Sequence, residues 1–149
     1  MQVSEAPANR VWRSFVRAKA EVGRALHRDL RERGLTGAQL GILRVLAESE
    51  GEGVQLNEIS QRLFVTSGNV TGLIDRLEEA GHLARLPHPE DRRITLAVLT
   101  PTGRELFGQL YPVHMDRIAR LLSALTEQEQ ALLCDLLERI ADGASNLGR

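Results

Sequence analysis

Between Leu56 and Thr100 the spacing of apolar positions changes twice. Ile59 and Leu63 lie four apart on what reads as the inner face of a short helix, with Asn57 placed to cap it. Phe64 and Val65 break the polar pattern, and Thr66 offers a second N-cap. Val70, Leu73, Ile74 and Leu77 then recur at helical spacing as one apolar stripe, and Gly81 stops that helix where a left-handed residue is favoured. Beyond it the period drops to two. Ile94, Leu96 and Val98 alternate with Thr95 and Ala97, as a strand with one buried face would. His82 to Leu86 is a weaker strand, and Pro87, His88, Pro89, Glu90, Asp91 and Arg92 form an exposed loop between the two. Helix, turn, helix and a hairpin with a charged tip make a winged helix, whose second helix is built to enter the DNA major groove.

The flanking segments are helical. Trp12, Phe15, Val16, Val22, Leu26 and Leu30 predict a helix over Asn9 to Arg33, closed by Gly34. Thr36 and Gln39 form a capping box, and Leu35 can staple to Leu40. The helix that follows carries Leu40, Ile42, Leu43, Val45 and Leu46. Glu48 to Gly53 is a polar, glycine-rich loop, and Val54-Gln55-Leu56 can add a third strand to the hairpin. Thr100-Pro101 reads as N-cap and first-turn proline of a helix bearing Leu106, Leu110, Val113, Ile118, Leu121 and Leu122, with Pro112 expected to kink it. A second capping box, Thr126 to Glu129, opens a last helix with Leu132, Leu133, Leu136, Leu137 and Ile140, ended by Gly143. The leucine stripes of the first and last helices are wider than one small winged helix can cover. Either they pack only on each other, or a second chain covers them.

The outward face of the second helix of the motif carries Gly68, Gly72, Asp75 and Glu79, flanked by Ser67, Asn69, Thr71 and Arg76. Its N-terminal half is small and uncharged, and its C-terminal half holds carboxylates. Phosphates accept the first and are repelled by the second, so the helix should meet DNA N-terminus first. Each glycine costs about 1 kcal/mol of helix stability against alanine. They are either simply tolerated or required by close backbone approach to a large partner.

Composition bounds this reading. The 149 residues suffice for one domain, 42% are hydrophobic and 3% aromatic, and the net charge of −1 gives no global field for nucleic acid, so DNA contact must come from a local patch. A single cysteine, Cys134, excludes an internal disulfide or a zinc cluster and reads as a small core or interface residue. No signal peptide or membrane-length apolar run is present, which points to a cytoplasmic protein without a membrane partner. His27, His82, His88 and His114 are scattered, with no His-x-x-x-His pair, no nucleophile arrangement and no phosphate loop. No enzyme activity, metal site or cofactor is expected.

The runs T-S-G-N-V-T-G-L-I-D-R-L-E-E-A-G, L-P-H-P-E-D-R-R and L-T-P-T-G, with Leu35 to Leu40, closely resemble the MarR family of bacterial transcription regulators over nearly the whole chain. The resemblance implies a mainly α fold with a small β-hairpin wing. Residues 34–100 would form the DNA-binding core, and 5–33 and 101–149 the dimerisation helices of a homodimer. It implies a repressor that binds double-stranded DNA at a near-palindromic operator and is released by a small aromatic or phenolic effector. Ser67, Gly68, Asn69, Thr71, Gly72 and Arg76 would meet DNA from the recognition helix. Arg92 and Arg93 would do so from the wing, with Arg93 entering the minor groove and Asp91 steadying it. Trp12, Phe15, His27, Arg28 and Tyr111 would line the effector cleft, unless they are ordinary core. The cysteine used by some peroxide-sensing relatives lies in the first helix, where this chain has none. The alternative from another class is a winged-helix protein-interaction module that has lost DNA binding.

Overall fold

The computed structural model describes residues 6–63 and 65–147, with the side chain of Ser67 also outside the description. Nine elements follow in order: α1 Pro7–Glu32, α2 Gly37–Glu48, β1 Val54–Gln55, α3 Leu56–Leu63, α4 Ser67–Glu79, β2 Leu83–Pro87, β3 Thr95–Leu99, α5 Pro101–Leu122 and α6 Glu127–Leu147. The three strands form one antiparallel sheet in the order β1-β3-β2. Leu83 pairs with Leu99 and Pro87 with Thr95 along the hairpin, while Val54 faces Ala97 on the other side of β3. The chain divides into two compact units, one ending at His114 and one starting at Met115.

In the first unit α2 is the hub. Ile42, Leu43, Val45 and Leu46 are all fully buried, against Ile59 of α3, Val70, Ile74 and Leu77 of α4, and Leu83 and Ala97 of the sheet. The Thr36 capping box forms as its spacing requires: the Gln39 N–H donates to Thr36 Oγ1 at 3.2 Å and the Thr36 N–H to Gln39 Oε1 at 2.9 Å. Gly34 and Gly81 both sit at positive φ, 70° and 77°, and end α1 and α4 with the same pair of backbone bonds. In each, the glycine N–H reaches a carbonyl three residues back and the next N–H one five back, Leu35 to Leu30 at 2.8 Å and His82 to Leu77 at 2.9 Å.

Several expectations from sequence are corrected. α3 begins at Leu56, so Asn57 lies inside its first turn; its side-chain oxygen accepts the adjacent Glu58 N–H rather than capping the helix. Phe64 lies outside the described residues. Pro87 is the last residue of β2, not loop, as a proline at a strand edge is allowed to be. In β3 it is Ala97, fully buried, that joins the core cluster, while Leu96 and Val98 face the other way against the loop at Gly53. The small alanine lets α2 and α3 approach the central strand, and size outweighs hydrophobicity there. α6 continues past Gly143 to Leu147.

In the second unit the capping box at Thr126 forms, with Glu129 accepting the Thr126 N–H at 2.8 Å. That bond and the Thr126 hydroxyl hold the Glu129 carboxyl below its ordinary range. No side chain of α6 is buried. Leu132, Leu133, Leu136, Leu137 and Ile140 are all exposed by more than a third. Cys134 is exposed too, so it is no core residue; the neighbouring Glu138 carboxylate pushes its thiol pKa up, away from reactivity.

Candidate nucleic-acid interface

The recognition helix α4 is built from two unlike faces. Its inner stripe is locked in the core, and its N-terminus is capped by Thr66, whose Oγ1 accepts the Asn69 N–H at 3.4 Å. Outside, Gly68, Asn69, Thr71, Gly72 and Arg76 are exposed. A Cβ at Gly68 or Gly72 would meet nothing within 4 Å. Packing within the chain therefore requires neither glycine, and the helix surface there is shallow and open.

Two carboxylates at the other end of α4, Asp75 and Glu78, are paired. Arg85 of β2 reaches back across the turn: its Nη2 lies 2.6 Å from Asp75 Oδ1 and its Nη1 pairs with Glu78. The Arg85 backbone N–H also donates to Glu78 Oε1 at 3.1 Å. This fork partly neutralises the acidic end and ties the wing to the recognition helix. Sequence reasoning missed it, because the pairing depends on how the turn at Gly81 swings β2 back along α4.

A second tie lies at the root of the wing. The Thr100 hydroxyl donates to the Gly81 carbonyl at 2.6 Å and accepts the Gly103 N–H at 3.0 Å, while the Thr100 N–H reaches His82 O at 3.2 Å. α5 presses so close that a Cβ at Gly103 would lie 1.7 Å from the His82 carbonyl oxygen. The L-T-P-T-G run thus has a physical cause: cap, first-turn proline and the one residue thin enough for this contact.

At the wing tip the loop is pinned by His88 N–H to Ile94 O at 2.8 Å and Ile94 N–H to Asp91 O at 3.0 Å. Asp91 then grips Arg93 three ways: the Arg93 backbone N–H and Nε each donate to Oδ1 at 3.0 Å, and Nη2 to Oδ2 at 2.8 Å. The Arg93 side-chain and backbone donors hold the Asp91 carboxyl below the usual carboxylate range. Arg93 is nonetheless 90% exposed, a guanidinium held in a set pose with its outer face in solvent. Arg92 beside it is exposed.

The aromatic and histidine residues expected at an effector cleft make local contacts. Trp12 stacks on Phe15 with ring centroids 6.0 Å apart, both exposed, and Tyr111 stacks on Phe107 at 4.7 Å. The His27 ring lies against Gly37, and Arg28 is exposed. Among the described residues no three His, Cys, Asp or Glu side chains gather as a metal site. No described helix is long and apolar enough to cross a membrane.

Residues 33–94 match the model of the MarR family. An uncharacterized HTH-type transcriptional regulator of Bacillus subtilis, YkoM, is 38% identical over 89% of this chain and 84% of its own length. The chain belongs to the MarR family. Its fold is that of MarR winged-helix regulators, mainly helical with a small antiparallel sheet. The MarR regulator Sco3205 of Streptomyces coelicolor, solved in complex with DNA, is 30% identical, with a TM-score of 0.84 over 89% of this chain and 84% of that one. BpsR of Bordetella bronchiseptica, whose DNA binding is regulated by 6-hydroxynicotinic acid, is 25% identical, with a TM-score of 0.78 over 95% and 97% of the two chains. As a MarR-family member the protein is a DNA-binding transcription regulator.

Proposed function

We propose that this chain is a sequence-specific repressor that binds a near-palindromic operator as a homodimer and is released by a small aromatic or phenolic effector. It acts in the cytoplasm and has no catalytic role. The observation that carries the reading is the pairing of a shallow α4 face with a wing arginine pre-set by Asp91, the two fixed to one frame by Arg85. Asn69 and Thr71, with Ser67, read base edges from the N-terminal half of α4, where the glycines admit close approach. Arg76, further along, serves phosphate. Arg93 enters the minor groove, whose narrow AT-rich stretches attract a guanidinium, and Arg92 supports it at the backbone. The unburied apolar faces of α1 and α6 support dimerisation. A two-fold dimer sets two recognition helices roughly 34 Å apart, one helical turn of DNA. Relatives solved with DNA, or regulated by a small acid, support operator binding and effector release. The rival module without DNA binding leaves the Asp91–Arg93 clamp without a purpose.

The test is a titration of variants on operator and on scrambled DNA at fixed salt. A good base contact is worth about 1–3 kcal/mol, and a dimer makes it twice. Asn69→Ala should therefore lose operator affinity sharply while keeping nonspecific binding. Arg76→Ala should weaken both alike, because phosphate contacts carry no sequence information. Equal loss on both DNAs for Asn69→Ala, or no loss, would contradict this orientation of α4.

A further inference from the structure

The largest positive excess in this chain lies on α1, away from the recognition helix and wing. From Pro7 to Glu32 it holds seven basic residues against three acidic ones. The stretch from Ser67 to Leu99, recognition helix and wing together, holds four arginines against five carboxylates. Arg10, Arg13, Arg17, Arg24, Arg28 and Arg31 recur at intervals of three, four and seven. At about 3.6 residues per turn that spacing sets all six on one side of the helix. All six are exposed. Val11, Phe15, Val22 and Leu26 occupy the opposite side, so the apolar face assigned to dimerisation leaves the arginine stripe in solvent. Glu21, the acid beside the stripe, is taken by Arg24 at 2.5 Å. Arg10, Arg17 and Arg28 make no ion pair among the described residues. A recess of about 360 Å³ opens among Arg10, Arg13, Ser14 and Arg17. All four lie on one helix, so the recess suits an anion running along the surface better than a ligand enclosed on all sides. A surface that serves solubility alone mixes both signs, and this one does not.

We propose that the arginine stripe of α1 binds the phosphate backbone of a second stretch of double-stranded DNA, whatever its sequence, while α4 and the wing hold the operator. From Arg10 to Arg31 the stripe runs about 32 Å at about 1.5 Å per residue, close to one turn of duplex, roughly 34 Å. Guanidiniums suit phosphate through paired, charge-assisted hydrogen bonds. A row of cations laid on DNA also releases condensed counterions. An acidic protein surface returns no such gain, and exposed ion pairs with it are worth little. That the DNA is a second stretch follows from where α1 meets α4. Arg33 and Gly34, just past α1, share a cavity with Arg76, Leu77 and Ala80 at the C-terminal end of α4. This step rests on the function proposed above, which puts the N-terminal half of α4 in the groove. α1 then joins α4 at the end turned away from the operator.

The test is a capture assay on the full chain. Operator duplex is fixed to a surface, the chain is bound to it, and a fluorescent duplex of scrambled sequence is added. The native chain should retain the second duplex. The combined variant Arg10→Gln, Arg17→Gln and Arg24→Gln should lose capture by about tenfold or more. Its operator affinity should stay within about twofold of native at about 0.15 M salt, where charges act over only about 8 Å. Its capture should also depend less steeply on salt, by up to about three units of slope. Lysine at the same three positions keeps the charge and should restore most of the capture. No capture by a native chain seated on operator, or capture undiminished in the glutamine variant, overturns the proposal. So does a native assembly larger than a dimer that vanishes in the glutamine variant without any capture. That result would give the stripe to α6 of another copy, which holds five carboxylates against one arginine. A native chain that binds no operator overturns the proposed function instead. The stripe is then decided by scrambled duplex alone, native against glutamine variant, with equal binding overturning it.

Discussion

Replacing Leu136 with Asp should split the proposed dimer, and the size of the effect can be worked from the exposed face of α6. Leu132, Leu133, Leu136, Leu137 and Ile140 retain 58, 38, 42, 40 and 52% of their surface in the single chain. Full burial of such a side chain is worth about 1.5–3 kcal/mol, so covering the remainder adds about 0.6–1.7 kcal/mol each. Two copies of the five supply about 7–14 kcal/mol, against an association cost of about 4–15 kcal/mol. The α1 face, with Val11, Trp12, Phe15 and Val16 exposed, adds to the favourable side. The margin is small enough for one position to matter. Leu136→Asp forfeits about 1.3–2.5 kcal/mol across the two-fold and sets two carboxylates against apolar surface, at about 1–3 kcal/mol or more each. The dimer dissociation constant should rise by at least about a hundredfold, taking about 1.4 kcal/mol per decade. Sedimentation equilibrium over a concentration series measures it, with circular dichroism to show that α6 is still helical. Arg139→Gln, at a 72% exposed side chain with a 3.9 Å ion pair, is the control that should leave the dimer intact. A native chain that is monomeric at micromolar concentration, or a Leu136→Asp dimer as tight as the native one, would refute the reasoning.

Three further outcomes are expected. Arg93→Ala should flatten the dependence of operator affinity on salt by about one unit per wing, about two per dimer, because each neutralised phosphate contributes a slope near −0.9; an unchanged slope in a salt series would mean the wing does not touch DNA. Gly103→Ala should destabilise the chain by about 1–3 kcal/mol or more through the clash with the His82 carbonyl, whereas Gly108→Ala, with open space around it, should stabilise by up to about 1 kcal/mol; thermal unfolding of the pair checks the contrast. The folded pKa of Asp91 lies below its unfolded value, so the wing-tip clamp stabilises fully above the ordinary carboxylate pKa of about 3.9 and is lost as pH falls through the depressed value. Carboxyl NMR should place the Asp91 midpoint below that of ordinary aspartates and return it upward in Arg93→Ala; the same midpoint in both would show that the clamp does not form in solution.

Local rules determined a large part of this protein. The helix stripes, the capping boxes at Thr36 and Thr126, the terminators Gly34 and Gly81 and the charged wing tip all depend on residues within a few positions of one another. So does the Asp91–Arg93 clamp, whose partners are two residues apart. Such interactions are nearly the same in any fold that keeps the segment intact; periodicity and residue type reveal the stripes, caps and terminators, while the role of Asp91 toward Arg93 came from the family resemblance. What needed tertiary structure has long sequence separation or turns on size. Which face of β3 is core was decided by the room that Ala97 leaves for α2 and α3, not by the larger Leu96 and Val98. The Arg85 fork depends on β2 folding back along α4, and the glycine at 103 on a backbone contact twenty-one residues away in sequence. Arg33, Arg76 and His82 share one cavity only because the ends of α1 and α4 are brought together around α2. Their spacing in the chain carries no sign of it, since a cavity assembled from three elements has no period to read.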